Sequence, residues 1–354
     1  MPTQVAEAAP ALAGHGASRL PAVRLDTYNT ELRDDDGFIG DKASNRAFRA
    51  ILEEWRERVR QVDDDPIGEE PSEEISKKKL DRLIVAGDPE AAGMLVGAVE
   101  EFAQSFASVI RRFLRLKEWR DSQRLVVGGG LRGSRIGELA IGRTAVILKA
   151  EKRAIDLRPI RNHPDEAGLI GCIHLAPSWI FSGHDGILAV DIGGSNIRVG
   201  IVELNLRKAA DLSKAGVRAF ELWRHADEDP DREGAVERLI DMLQSMMERA
   251  AKENFRLAPF IGIGCPGVIE EDGSIARGDQ NLPGNWAHKK FNLPRLVREA
   301  IPALDGHEVA VVLHNDAVVQ GLSEVPFMGD VEHWGVLTIG TGLGNARFTN
   351  RAAD

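Results

Sequence analysis

The chain is short of cysteine and has almost no tyrosine: 2 Cys and 1 Tyr in 354 residues. Cys172 and Cys265 sit in apolar or glycine-rich surroundings, so a disulfide scaffold is excluded. Without paired spacing they form no zinc motif, and they read as buried thiols of a reducing compartment. An excess of basic charge is also missing. The formal net charge of -10 argues against a nucleic-acid partner. No apolar run approaches the ~20 residues of a membrane helix. No basic start leads into an apolar core, so no secretory signal is read. The expectation is a soluble cytoplasmic protein that binds neither nucleic acid nor membrane. What is present is an ordinary 43% of hydrophobic residues and length enough for two domains or one two-lobed unit.

Residues 1–36 are rich in Ala, Pro and Gly, then in Asp, and read as mostly irregular. Residues 43–60 carry Ala47, Phe48, Ile51, Leu52 and Trp55 on one helical stripe. The acidic stretch 61–75, with two prolines, reads as a solvated loop. Asp88 and Pro89 are an N-cap and a first helical residue, and Leu95, Val99, Phe102, Phe106, Ile110 and Phe113 follow at helical spacing. A further amphipathic helix is expected over 231–252. Short apolar strands recur at 187–190, 197–204, 260–263, 309–313 and 334–339. Strands alternating with helices predict an α/β fold with mixed sheets.

Polar residues gather where these strands stop, the edge at which open α/β sheets bind ligands. In "DIGGSN", Gly193 and Gly194 allow a turn whose backbone N–H groups can approach a phosphate, and Ser195 can donate a hydroxyl. Asp191 would repel a bare phosphate and makes sense with Mg²⁺ or its water between them. A plain hairpin turn is the commoner reading of a lone Gly-Gly pair. "GTGLGN" repeats the logic at Gly340, Thr341 and Gly342, and two such turns could clamp a polyphosphate. "VVGGG" offers Gly128, Gly129 and Gly130 to a base or ribose, although a close-packed strand–helix turn explains it equally well. Asp316, after His314-Asn315, is at a helix start. It is either a cap or the carboxylate that accepts the proton of an attacking hydroxyl; His314 reads as its packed or exposed neighbour. "GDQNLPGNW" supplies Asn281, whose amide suits sugar hydroxyls, and Trp286, which covers an apolar sugar face or anchors a Pro-Gly turn.

Assembled, these stretches resemble the ROK family (repressor, open reading frame, kinase) of sugar kinases, of the hexokinase–actin ATPase fold. "AVDIGGSNIRVGIVE" is similar to its first phosphate motif, with Ser195 where Thr is usual. "IGIGCPGVIEEDGSI…NLPGNW" is similar to its Gly-x-Pro-Gly and sugar-loop segment, "HNDAVVQGLSE" to its Asn-Asp catalytic segment, and "LTIGTGLGNARF" to its second phosphate motif. Segments that come late in the family come first here. "DKASNRAFRAIL", "GDPEAAGMLVGAVEEFAQSFASVIRRF…RLVVGGGLRGS" and "HPDEAGLIGCIHLA" resemble its final third. The resemblance therefore implies a circularly permuted, two-lobed actin-like (ribonuclease H-like) α/β fold. The expected division is 1–36 irregular, 37–160 part of the large lobe, 161–307 the small lobe, and 308–354 the rest of the large lobe.

The resemblance implies a sugar kinase using ATP and Mg²⁺, of the glucokinase, hexose or amino-sugar type. Asp316 is the general base. Asn281, Asn315 and Gly267 are on the sugar side. Gly193, Gly194, Ser195, Gly340, Thr341 and Gly342 hold phosphates, Gly128 to Gly130 line the nucleotide, and Asp191 holds the metal. The family's Glu-x-Gly-His stretch and cysteine-rich zinc loop are absent. Gly14-His15 is an echo with Leu12 where Glu would stand, and Phe38-Ile39-Gly40 lies where a Cys-Leu-Glu stretch is usual. No zinc is expected, and sugar recognition uses fewer groups or draws on residues 1–40. The alternative is a non-catalytic sugar- or nucleotide-binding regulator of the same fold. The partner is a small-molecule sugar; a homodimer is left open.

Overall fold

The computed structural model describes residues 12–35 and 37–351. Residues 1–11 and Asp36, within the segment read as irregular, lie outside the described residues. The chain divides into two compact units. One unit contains residues up to Arg24, then Leu169–Asn315, then the chain from Arg351; the other contains Leu25–Gly168 and Asp316–Asn350.

The first unit is built on a five-stranded mixed sheet, in the order Ala310–Asn315, Leu257–Cys265, Gly186–Ile192, Ile197–Glu203, Gly216–Trp223. The first three strands are parallel, and the last two fold back as an antiparallel meander. All seven residues of Gly186–Ile192 are buried, as a strand covered on both faces requires. The helix Arg232–Lys252 presents Val236, Leu239, Leu243 and Met246 to this core. Its cap is Asp231, whose side chain accepts the Gly234 N–H at 2.7 Å. Close packing replaces side chains at two glycines: a Cβ on Gly262 would stand 2.6 Å from the Cys172 Cβ, and one on Gly200 2.8 Å from the Ala219 carbonyl oxygen. Both cysteines are buried thiols outside any disulfide. Burial, and then the nearby Asp191 carboxylate, push the Cys172 thiol far up.

The second unit repeats this arrangement. Its sheet runs Val23–Tyr28, Leu343–Asn350, His333–Ile339, Arg124–Gly128, Asp156–Pro159. Again a hairpin, His333–Ile339 with Leu343–Asn350, lies beside two parallel strands. In the first unit the parallel strands follow the hairpin in the chain; here they precede it. Val23–Tyr28 falls in the stretch read as irregular. Its strand character rests on Val23 and Leu25, buried on either side of exposed Arg24, a two-residue alternation that the neighbouring charges mask in the sequence.

The helix Pro89–Phe113 forms as its ends dictate. Asp88 accepts the Glu90 N–H at 2.8 Å, Pro89 takes the first turn, and Arg111 and Arg112 lie in the last turn, where cations complement the helix dipole. Its buried Leu95, Phe102 and Phe106 meet Phe48 and Leu52 of the helix Asn45–Arg60, with Phe48 edge-on to Phe102 at 5.9 Å. Each such side chain contributes about 1.5–3 kcal/mol.

The acidic stretch 61–75 is not simply solvated. Ile67 and Ile75 are buried, and the wholly buried Arg56 holds the loop from beneath. Its guanidinium donates to Asp65 Oδ2 at 2.7 Å, Ser72 Oγ at 2.8 Å and the Gly68 carbonyl at 2.7 Å. The loop's negative charge is thus what makes burial of this arginine tolerable. Arg56→Ala would take this donor from the Ser72 hydroxyl and the Gly68 carbonyl and leave Asp65 to Arg60 alone. The expected loss is roughly 3–5 kcal/mol of unfolding free energy in urea titration; an unchanged midpoint would show the network to be ornamental.

Two histidines of the first unit, His174 and His314, are buried, and burial pushes both down to about 4. Unfolded, they titrate near 6.5. Between these values the unfolded chain binds protons that the native chain refuses. Their contribution is complete above about pH 6.5 and declines as pH falls toward 4, by up to about 1.4 kcal/mol per pH unit for each. His174 Nε2 has no hydrogen-bond partner among the described residues, so His174→Leu is expected to flatten the fall in Tm between pH 7 and pH 5 without lowering Tm at pH 7.

Candidate active site

In the first unit three parallel strands finish level. Asp191 and His314 both stand opposite Gly264 of the central strand, and Asn315 opposite Cys265. With strands about 4.8 Å apart, the Asp191 and His314 backbones are about 10 Å from one another. Asp191 is 2% exposed, and its Oδ2 lies 3.5 Å from Arg198 Nη1 across the hairpin. The turn that follows closes with the Gly193 N–H donating to the Asn196 carbonyl at 2.8 Å. It is held from behind by His225, whose Nε2 lies 2.9 Å from the Gly193 carbonyl, and by the Ala226 N–H on the Ser195 carbonyl at 3.3 Å. Gly193, Gly194 and Ser195 are half-buried. His225, thirty residues away in the chain, is invisible to motif reading.

Asn315 is buried and donates an amide hydrogen to the Gly267 carbonyl at 3.0 Å. Its own N–H donates to His314 Nδ1 at 2.7 Å. That nitrogen is therefore unprotonated, and Nε2–H points to the Ala17 carbonyl at 3.2 Å. His314 is thus a packed neutral histidine that fixes the peptide before Asn315. Gly267 has a structural duty: its φ is +107°, and a Cβ would come within 2.5 Å of the Arg277 carbonyl oxygen. The N-terminal echo motif lies on the same edge strand. The Gly16 N–H donates to the Leu313 carbonyl at 3.0 Å, and the Leu313 N–H to His15 Nδ1 at 3.1 Å.

The 278–286 loop is organised by Asp279, which accepts the N–H groups of Trp286 at 2.9 Å and Ala287 at 2.8 Å. Trp286 is wholly buried, with Nε1 donating to the Pro283 carbonyl at 2.7 Å and its ring against Phe291. It anchors the loop and has no face to offer a sugar. Asn281 is exposed on the same loop.

In the second unit the Gly340 N–H donates to the Gly342 carbonyl at 2.9 Å, and the Gly340 carbonyl accepts the Asn45 N–H at 3.0 Å. Thr341 is exposed at the tip. Thr338, two residues before the turn, is level with Gly128, so the end of Arg124–Gly128 lies beside it. Asp316 is half-buried and is the first residue of the helix Asp316–Leu322, which packs on the hairpin. A Cβ on Gly344 would stand 3.0 Å from that of Ala317, which puts Asp316 close to the mouth of the hairpin. Three of the sequence candidates, Asp316, the 340–342 turn and the 128–130 corner, thus share one end of this sheet. Lys77, unmarked in the sequence, donates to the Gly130 carbonyl at 2.6 Å. Asn45, Lys77 and Ser134 line a cavity of about 10 Å³ beside it, room for about one water.

The glycines separate into two kinds. Gly129 is required by the fold: φ is +81°, and a Cβ would lie 2.5 Å from the Ile339 nitrogen. At Gly193 and Gly340 the nearest atoms to a Cβ, at 3.4 Å and 3.8 Å, leave room, and at Gly342 nothing lies within 4 Å. None of these three has a positive φ. The protein's own sterics do not demand glycine there, and a side chain would fill the space over each turn.

No helix among the described residues is long and apolar enough to cross a membrane. No family model matches the chain. Over 166 residues it is 28% identical to the glucokinase of Thermotoga maritima, a stretch covering 46% of this chain and 44% of that protein. The chain thus spans less than half the length of this curated relative. A proposed sugar kinase from Cytophaga hutchinsonii is 20% identical, covering 47% of this chain and 48% of its own, with a TM-score of 0.36. A ROK hexokinase from Thermus thermophilus is 20% identical over 45% of each chain, with a TM-score of 0.30. Distant homology to a sugar kinase of the glucokinase kind extends over about half of the chain.

Proposed function

We propose that this protein is an ATP-dependent sugar kinase of the ROK type, circularly permuted, with Asp316 as general base. The observation that carries the reading is the pair of hairpin turns whose glycines the fold itself does not need. Each leaves backbone uncovered where a Cβ would stand, as a phosphate-holding turn must. Both turns leave the third strand of a like-ordered sheet, and a phosphate-holding turn used twice fits that recurrence better than two unrelated hairpins. The permuted order is supported by the second sheet, in which the hairpin is late and its outer neighbour Val23–Tyr28 is early. It is supported also by Arg351, whose N–H donates to the Ala22 carbonyl at 3.0 Å and whose Nη1 donates to the Leu20 and Pro21 carbonyls at 2.9 Å. The two strand ends that a permutation would have parted are therefore adjacent.

ATP with Mg²⁺, when bound, supplies the transferable phosphoryl group and neutralises charge around it. Gly193, Gly194, Ser195, Gly340, Thr341 and Gly342 would hold phosphate oxygens through backbone N–H groups and two hydroxyls. Gly128 to Gly130 would line the nucleotide. Asp191 suits a hydrated metal rather than a bare one, since Arg198 already offsets part of its charge. Asp316 would accept the proton of the attacking sugar hydroxyl. Asn281 offers the sugar an exposed amide. Asn315, with one donor given to the Gly267 carbonyl, orients the sugar side largely by holding that loop.

Coupled ATP consumption over a panel of hexoses and amino sugars tests the reading. Turnover on at least one sugar is expected, reduced about 10²–10⁴-fold in Asp316→Asn with nucleotide binding retained. Nucleotide binding without turnover on any sugar would point instead to a regulator, and unchanged turnover in Asp316→Asn would remove the general base. The glycines give a second test. Gly342→Ala is expected to keep the parent Tm and to weaken nucleotide binding, whereas Gly129→Ala is expected to lower Tm sharply. Equal nucleotide affinity in Gly342→Ala and the parent would exclude a phosphate at that turn.

A further inference from the structure

Away from the strand ends, the first unit carries a pocket of about 640 Å³, within the size range of small-molecule sites. Lys289, Lys290, Arg295 and Arg298 line it with His15, and Asp272 is the single carboxylate in its wall. Lys289, Lys290 and Arg298 are exposed and form no ion pair among the described residues. Arg295 has one long ion pair, 3.7 Å from Nε to Glu299, and donates from Nη2 to the Lys290 carbonyl at 3.4 Å. In a chain of net charge -10 such a gathering of uncompensated cations is against the trend.

The walls are fixed rather than loose. Asn292 caps the helix Leu293–Ala300 by accepting the Arg295 N–H at 2.9 Å, and its amide donates to the Asp272 carbonyl at 2.8 Å. Asp272 Oδ1 accepts the Ser274 N–H at 2.8 Å, and its carboxyl is held below the usual range by the Ser274 hydroxyl and N–H. The single anion is thereby occupied with its own turn. His15 shows the resulting field: burial, and then Arg298, lower its imidazole, with Asp272 opposing.

We propose that this pocket binds a small phosphate monoester, the phosphate among Lys289, Lys290 and Arg298 and the organic part toward Phe291 and Asn292. Lysines supply point charge and Arg298 a planar fork for phosphate oxygens. The site lies wholly in the first unit and does not depend on the kinase reading. It has a wire to the strand behind it. His15 Nδ1 accepts the Leu313 N–H, and an imidazolium cannot accept there. A dianion beside His15 favours the protonated ring and so loosens that bond, two residues before Asn315.

The test is titration of the full chain, at low salt, with inorganic phosphate in one arm and a hexose 6-phosphate in the other. Heat and Tm are followed, and the His15 ring by NMR. Saturable binding is expected, with a rise in Tm that grows with ligand concentration. Binding should weaken about tenfold in the Lys290→Gln/Arg298→Gln double variant, whose side chains are exposed and whose fold should stand. The His15 pKa should rise on binding in the parent chain and not in the double variant. Tighter binding of the ester assigns the site to a sugar phosphate, and equal binding assigns it to the phosphate ion alone. Binding of both anions that survives the double substitution, or no saturable binding of either, overturns the proposal.

Discussion

Strand register is the constraint on which the rest of the first unit depends. Side chains change face at every residue, so a one-residue slip of Ala310–Asn315 against Leu257–Cys265 would turn the His314 ring and the Asn315 amide to the wrong sides. Hydrophobic pattern does not prevent this, because the central strands are apolar on both faces. The polar ends do. Asn315 is pinned to Gly267, His314 to Ala17, and Leu313 to both His15 and Gly16. The buried backbone of Gly262, too close to Cys172 for any Cβ, sets the same register from the other side. The polar groups at the strand ends thus keep the sheet in step.

What could be read from the sequence was local. Asp88 with Pro89, the helical stripe of 89–113 and the Asp-x-Gly-Gly turn announce themselves within a few residues, because capping and turn geometry depend on neighbours in the chain. What could not be read depends on distant partners. Arg56 looks like an ordinary surface arginine until Asp65, Gly68 and Ser72 fold over it. His225 behind Gly193, and Lys77 on Gly130, join residues that no spacing rule connects. Val23–Tyr28 is a strand only because Leu343–Asn350 is beside it. Trp286 is the opposite case. Its place in a sugar-loop motif suggests an open ring, and burial against Phe291 closes it.

Glycine-rich motifs illustrate how one letter stands for two physical needs. Gly129 and Gly267 satisfy the chain's own geometry, with positive φ and backbone within 2.5 Å of the absent Cβ. Gly193, Gly340 and Gly342 satisfy nothing inside the molecule. In the sequence both kinds look alike, and only the surroundings separate a glycine that makes a bend from one that leaves room for a visitor. The charges sort in the same way. Arg56 is fully engaged by its loop, while Lys290 and Arg298 face open space.

Each unit is assembled from separated stretches of chain, the second from Leu25–Gly168 and Asp316–Asn350. Its sheet therefore cannot be completed on the ribosome in the order in which it is made. Val23–Tyr28 and Arg124–Gly128 emerge early and must wait for His333–Ile339 and Leu343–Asn350, which fill the two places between them and come roughly 300 and 200 residues later. Until then both early strands present unpaired edges, a state prone to wrong partners. Closing so long a loop makes folding slow, and nascent chains of this protein should lean on chaperones until the last hairpin is synthesised.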